Sequence, residues 1–199
     1  PMTADNETLD KFKTFVGLIL NNTRDNGYLS KNNNNILRLD SIARAFPNAL
    51  IIVPFRDPLQ QAFSLLNQHK KFLQTHSQDP FAQKYMTWLA HHEFGADHRP
   101  FLFDGINGDE KNTQHLSYWL MIWINTYAYL INNLPPQALF LSYESLCDKS
   151  ELVWKKLGKQ IDLAPCTDKM SFTKALHQIN EPVPCDLLKK SNDIYKRMM

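Results

Sequence analysis

A helix-rich, three-layer α/β domain with a small parallel sheet is what this sequence predicts, and three observations carry the expectation. Ala49-Leu50-Ile51-Ile52-Val53-Pro54-Phe55 is a continuous apolar run rich in β-branched residues, and Ala138-Leu139-Phe140-Leu141-Ser142-Tyr143 is a second. Runs of this length without apolar–polar alternation fit strands buried on both faces, as in a parallel sheet. Around them the apolar residues recur at helical spacing, so helices join the strands.

The elements follow in order. Over residues 7–21, Phe12, Phe15, Val16, Ile19 and Leu20 stand at i, i+3, i+4, i+7 and i+8, one face of an amphipathic helix. Asn26-Gly27 ends it, and Asn32 to Asn35 reads as a loop and helix cap, because periodicity resumes at once with Ile36, Leu39, Ile42 and Ala43. That second helix ends near Phe46-Pro47, before the first strand. Asp57-Pro58 opens the next helix, with Asp57 as N-cap, Pro58 at N1 and Gln60 at N3, running to about Phe72. A helix over roughly 80–93, an irregular stretch over 94–111 and a long aromatic helix over 113–133 precede the second strand. Pro135-Pro136 stops that aromatic helix, and helical stretches near 144–160 and 185–198 complete the chain. No repeat and no linker divides it, so residues 1–199 are expected to form one domain.

Composition narrows the function. The net charge is +2, from 22 basic and 20 acidic residues, which argues against a protein that works by neutralising a nucleic-acid backbone. With 43% hydrophobic and 21% charged residues, the chain is of globular and not disordered type. Glycine is scarce: six in 199 residues, about 3% against a usual ~7%. None of the six builds G-x-G-x-x-G or G-x-x-x-x-G-K, so the chain carries no glycine-rich phosphate loop. Cys147, Cys166 and Cys185 are too few and too dispersed for a zinc knuckle, and the odd count fits a reducing compartment. Without a signal-like start, and with the apolar stretch from Tyr118 to Ile131 broken by Asn125 and Thr126, the expectation is a soluble, cytoplasmic protein.

The strongest site signal is the turn after the first strand, FPNALIIVPFRDPLQQAFSLL. Open α/β sheets bind ligands at the carboxyl ends of their strands. Arg56 stands at that edge, a helix N-terminus follows it, and Ser64 lies eight residues on. A guanidinium fork, a hydroxyl and a helix N-terminus can together hold a phosphate. The alternative is plain: Arg56 pairs with Asp57 or another acid, and Ser64 is a helix surface residue.

The segment KNNNNILRLDSIARAFPNALIIVPFRDPLQQAFSLLNQH resembles the central block of the sulfotransferases that use 3′-phosphoadenosine 5′-phosphosulfate. That pattern has a lysine-led stem, a helix, FP-(D/N)-A, a hydrophobic strand, Arg-(D/N)-Pro, and a serine eight residues beyond the arginine. The likeness is specific over residues 28–72 and looser over 115–199. The looser part has the Trp119/Trp123/Tyr127 helix leading to Leu141-Ser142-Tyr143-Glu144-Ser145-Leu146, and a last helix bearing Tyr195. The resemblance implies a P-loop-like sulfotransferase fold and sulfuryl transfer to a hydroxyl or amine. It implies that Arg56 and Ser64 bind the donor's 3′-phosphate and that Lys31 stands near the donor, against the alternative of a solvated loop lysine. It implies no metal and no nucleic acid, and it leaves a small molecule, carbohydrate or peptide as acceptor.

One departure stands out. The family uses a phosphosulfate-binding loop, often Arg-Ser-Gly-Thr-Thr, and nothing in the first twenty-six residues matches it, Gly17 being the one glycine there. The expectation is a chain that begins downstream of the first strand, binds the adenosine bisphosphate end weakly and transfers sulfate poorly. A non-catalytic binding or interaction module on the same fold is the competing reading, and self-association to cover an exposed edge is a further expectation.

Other residues invite weaker assignments. His69, five residues past Ser64, is either a general base or a helix-surface histidine. His91-His92-Glu93 with Asp97 and His98 suggests a metal, but Ala96 stands where H-E-x-x-H needs histidine. Asp104 to Glu110 lacks the spaced ligands of a calcium loop and reads as a turn.

Overall fold

The computed structural model describes residues 2–22, 27–103, 112–161 and 171–199. It is a helix-rich α/β fold with, among the described residues, one two-stranded parallel sheet, as the two apolar runs predict. The strands are β1 (Ile51–Phe55) and β2 (Ala138–Ser142), hydrogen-bonded neighbours in the order β1-β2. The helices are α1 (Asn6–Asn22), α2 (Leu39–Ala45), α3 (Pro58–Gln78), α4 (Pro80–Trp88), α5 (Leu116–Asn133), α6 (Tyr143–Asp148), α7 (Ser150–Gln160) and α8 (Cys185–Met198). No helix among the described residues is long and apolar enough to cross a membrane. The Asp104–Glu110 turn and Cys166 lie outside the described residues.

Contacts gather into two compact units: Pro1–Val53 with Asn133–Leu139, and Pro54–Asn132 with Phe140–Met199. In the first, Asp5 caps α1 by accepting the Thr8 N–H at 2.7 Å, and these bonds hold the Asp5 carboxyl below its ordinary pKa. Leu9 and Val16 are buried, and Phe12 meets Phe46 edge-on at 5.3 Å. Phe15, expected on the same face, is 54% exposed. The physical reason is helical geometry: at 100° per residue the stripe through Leu9, Phe12, Val16 and Leu20 leaves position 15 about a quarter-turn aside. The second expected helix divides into a 3-10 turn, Asn33–Leu37, and α2, with a break at Arg38. Asn32 caps the turn by accepting the Asn34 N–H at 2.8 Å, so the asparagine run is a loop and cap as its composition suggests. Lys31, just before it, is exposed.

In the second unit, α3 and α5 bury Ala62, Leu66, Leu116, Leu120, Trp123 and Leu130 completely or almost so. The aromatic stripe of α5 is core. Trp123 donates its indole N–H to Gln61 Oε1 at 3.0 Å, and Tyr127 donates its hydroxyl to the Pro54 carbonyl at 2.9 Å. That proline carbonyl belongs to β1, so α5 is fastened both to the strand and to the helix that follows it. Burial pushes the Tyr127 hydroxyl up to about 12. Phe55, at the end of β1, packs edge-on against Tyr127, Phe140 and Tyr195.

Two helix boundaries differ from expectation. α3 continues past Phe72 to Gln78, because its buried face runs on through His69 and His76. Asp79 then ends α3 and caps α4, accepting from Phe81 N–H at 2.9 Å and Ala82 N–H at 3.3 Å, with Pro80 at the first helical position. α4 stops at Trp88, short of residue 93, where Ala90 takes a left-handed φ of 56°. Leu66→Ala removes a fully buried side chain and is expected to destabilise by about 2–5 kcal/mol. Phe15→Ala is expected to stay within about 0.5 kcal/mol. Urea unfolding of both variants checks the contrast.

Candidate functional site

Strand β1 delivers Arg56 to its carboxyl end, and the chain turns at once into α3. Asp57 is the N-cap as predicted, accepting the Gln60 N–H at 2.9 Å, with Pro58 at N1. A capping box would send the Gln60 side chain back to the N–H of Asp57. Instead that N–H donates to Glu144 Oε1 at 2.9 Å, at the start of α6. Glu144 Oε2 accepts the Ser142 hydroxyl at 3.2 Å and the Tyr195 hydroxyl at 3.1 Å. Burial first, and then the Glu144 charge, push the Tyr195 hydroxyl up to about 12.

The Gln60 side chain has a different task. Its Oε1 accepts the His177 N–H at 2.7 Å while its Nε2 donates to the His177 carbonyl at 3.1 Å. Tyr143 handles the same segment two residues earlier: its hydroxyl accepts the Ala175 N–H at 2.9 Å and donates to the Thr173 carbonyl at 3.1 Å. Between them Arg56 Nη2 donates to the Ala175 carbonyl and, at 3.5 Å, to Gln60 Oε1. The guanidinium carbon lies 4.8 Å from the centroid of the Tyr143 ring, a cation–π contact. A strap of chain, Thr173–His177, is therefore fixed through its backbone by Tyr143, Arg56 and Gln60. No pattern in residues 171–180 announces this, because the strap is held by its peptide groups.

Arg56 is half-buried and pre-oriented, and its Nε and Nη1 donors make no hydrogen bond to any described residue. Ser64 lies one turn beyond Gln60 on the same face of α3, exposed and without a hydrogen bond to a described residue. Arg56 and Ser64 thus share one unit, whereas Lys31 belongs to the other.

His69 is on the opposite, inward side of α3. It is 2% exposed, its Nδ1 accepts the Gly95 N–H at 3.2 Å, and Trp119 and His98 pack on its ring at 5.2 and 5.3 Å. Burial first, then the charge of His98, pull its pKa down to about 4. The ring is neutral at pH 7 and works as a backbone acceptor, and its burial overturns the helix-surface reading of its sequence position. His91 pairs with Glu93 at 3.2 Å, and Asp97 is taken up by Gln83 at 2.9 Å and Thr87 at 3.2 Å. Among the described residues no group of three or more His, Cys, Asp or Glu side chains converges as a metal site would.

The model of the sulfotransferase family matches residues 7–168, more than half of the chain, and Arg56 and Ser64 fall inside it. The chain belongs to the sulfotransferase family. Comparison with the curated proteins and with the solved structures gives no match.

Glu144→Ala strands three donors, and is expected to destabilise by about 1–3 kcal/mol in thermal or urea unfolding. Removing that negative charge also lowers the Tyr195 pKa from about 12 toward its ordinary 10.0, readable by NMR of the labelled ring.

Proposed function

We propose that this sulfotransferase-family chain binds 3′-phosphoadenosine 5′-phosphosulfate, with Arg56 and Ser64 holding the 3′-phosphate. One observation carries the reading: the Arg56 guanidinium is braced by Tyr143 and Gln60, while its Nε and Nη1 donors meet no acceptor among the described residues. Either parallel N–H pair of the guanidinium includes Nη2, so Nε and Nη1 offer an anion single charge-assisted hydrogen bonds from two edges of a rigid plane, which is better ordered than a flexible ammonium. Ser64, two turns into α3, adds a neutral donor on the face that carries Gln60.

When bound, the donor supplies an activated sulfuryl group, which passes in line to an acceptor oxygen or nitrogen. A new S–O or S–N bond forms as the S–O bond to the 5′-phosphate breaks. The acceptor loses a proton and adenosine 3′,5′-bisphosphate leaves. Such transfers rest on positioning and charge stabilisation. The part we assign to this chain's residues is the first of these: anchoring the far end of the donor fixes where its reacting end lies. The acceptor is a small molecule, a sugar or a peptide. His69 takes no part as a base in this proposal, because its ring is buried and bonded to Gly95.

Titration calorimetry with adenosine 3′,5′-bisphosphate tests the assignment. Arg56→Ala is expected to weaken binding by about 2–5 kcal/mol, roughly thirtyfold or more, and Ser64→Ala by about tenfold. Unchanged affinity in the arginine variant would overturn the role given to Arg56.

A further inference from the structure

The irregular segment after α4 is docked on α3 by an unusual means. His69 and His76 stand seven residues apart on the inward face of α3, and both are buried. Each uses Nδ1 to accept a backbone N–H at 3.2 Å, His69 from Gly95 and His76 from Ala96. These two amides are consecutive in the chain, so two imidazoles hold one peptide turn. Gly95 takes φ +84°, and a Cβ there would run into the His76 ring, so the turn lies flat on that histidine. His76 Nε2 faces Met86 Sδ of α4 at 3.2 Å, and Phe94 stacks on Phe72 at 6.0 Å and leans on Trp119 at 5.7 Å.

A neutral imidazole has one acceptor nitrogen and one donor nitrogen, whereas imidazolium has two donors and none to accept. An Nδ1 that accepts a backbone N–H must therefore lose that bond when it takes up a proton. We propose that His69 and His76 form an acid-release latch: neutral, they bind the Gly95 and Ala96 amides and hold residues 91–98 on α3, and protonation frees that segment. This is independent of the donor-binding role given to Arg56 and Ser64. Release parts the Phe94 ring from Phe72 and Trp119, the two rings it packs on while the segment is docked.

The surrounding charges set the order of events. From the segment itself, His98 faces His69 and opposes a positive charge on it. From α5, Tyr118 faces His98, with its hydroxyl 2.8 Å from His98 Nε2. Asp97, also from the segment, lies in the fields of His76 and His92, and its carboxyl is held low mainly by Gln83 of α4. The His91–Glu93 pair lies at the far end of the segment. His69 has a carboxylate neither among its ring contacts nor among the charges acting on it, and its pKa is lowered to about 4 from 6.5. A histidine whose docked-state pKa is depressed favours the docked state fully above the free value and loses that preference as the pH falls. The window for His69 is therefore about 6.5 down to about 4.

Amide hydrogen exchange on the full chain reads the latch at Gly95 and Ala96, after correction for the intrinsic pH dependence. Protection is expected to be constant above pH 7 and to fall by up to about tenfold per pH unit as His69 takes up its proton within that window. In the double variant His69→Asn with His76→Asn, the amide oxygen takes the place of Nδ1 and cannot be protonated, so protection should become flat with pH. A pH-dependent release that persists in that variant would overturn the latch. If the variant does not fold, nitrogen NMR of the wild-type imidazoles decides. Nδ1-accepting, Nε2-protonated rings at pH 7.5 that become doubly protonated as the two amides open support it. Equal protection at pH 7.5 and 5, or release while both rings stay neutral, overturns it.

Discussion

The carboxylate of Glu144 gathers donors from three parts of the chain that sequence separates widely. The Asp57 N–H comes from the turn after β1, the Ser142 hydroxyl from the end of β2, and the Tyr195 hydroxyl from α8. A half-buried carboxylate of this kind holds its place through its partners, and each partner is satisfied only while the carboxylate is there. The start of α3 is consequently fixed to the end of the second strand and to the last helix at one point. Arg56 leaves β1 one residue before that point. Its direction, and the face on which Gln60 and Ser64 stand, follow from how Asp57 is anchored.

From that anchored start, α3 works on both of its sides. Its outer face carries Gln60, and Arg56 stands just before its N-cap; the two bind the peptide groups of Ala175 and His177. Its inner face carries His69 and His76, which bind those of Gly95 and Ala96. Irregular segments cannot satisfy their own backbone groups by repeating structure, so they need partners supplied from elsewhere. A single long helix supplies them here. This also accounts for the polar, glutamine- and histidine-rich character of a helix that an ordinary amphipathic pattern would fill with leucine.

Much of this was legible in the sequence. The two apolar runs gave both strands of the parallel sheet, and Asp57-Pro58 gave the start of α3, because those signals are local: β-branched continuity, an N-cap, a proline at N1. The family resemblance rested on the same block and on the spacing of Arg56 and Ser64. What could not be read was set by contacts distant in the chain. Phe15 shares the periodicity of α1 but lies beside the stripe that Leu9 and Val16 bury. Gln60 has the spacing of a capping box, yet a segment more than a hundred residues away takes its amide. His69 shows in sequence only as a polar residue on a helix, and its acceptor role depends on where Gly95 arrives. Glu144 stood inside a quoted motif without a role, because its three donors converge only in the folded chain.

The strap at Thr173–His177 is recognised by its peptide groups: five of its hydrogen bonds use carbonyls and N–H groups, which every residue but proline carries alike. Apart from Lys174, which pairs with Asp148, and His177, whose ring meets Phe63 at 5.3 Å, its side chains are consequently under little constraint, and identity at 173, 175 and 176 is free to drift while the path stays the same. Proline at 175 or 177 is the exception, since either would delete a donor that Tyr143 or Gln60 binds. Variation in this stretch among kindred chains would therefore be no sign that the covering over Arg56 had been lost, and the informative events would be imino acids and changes of length.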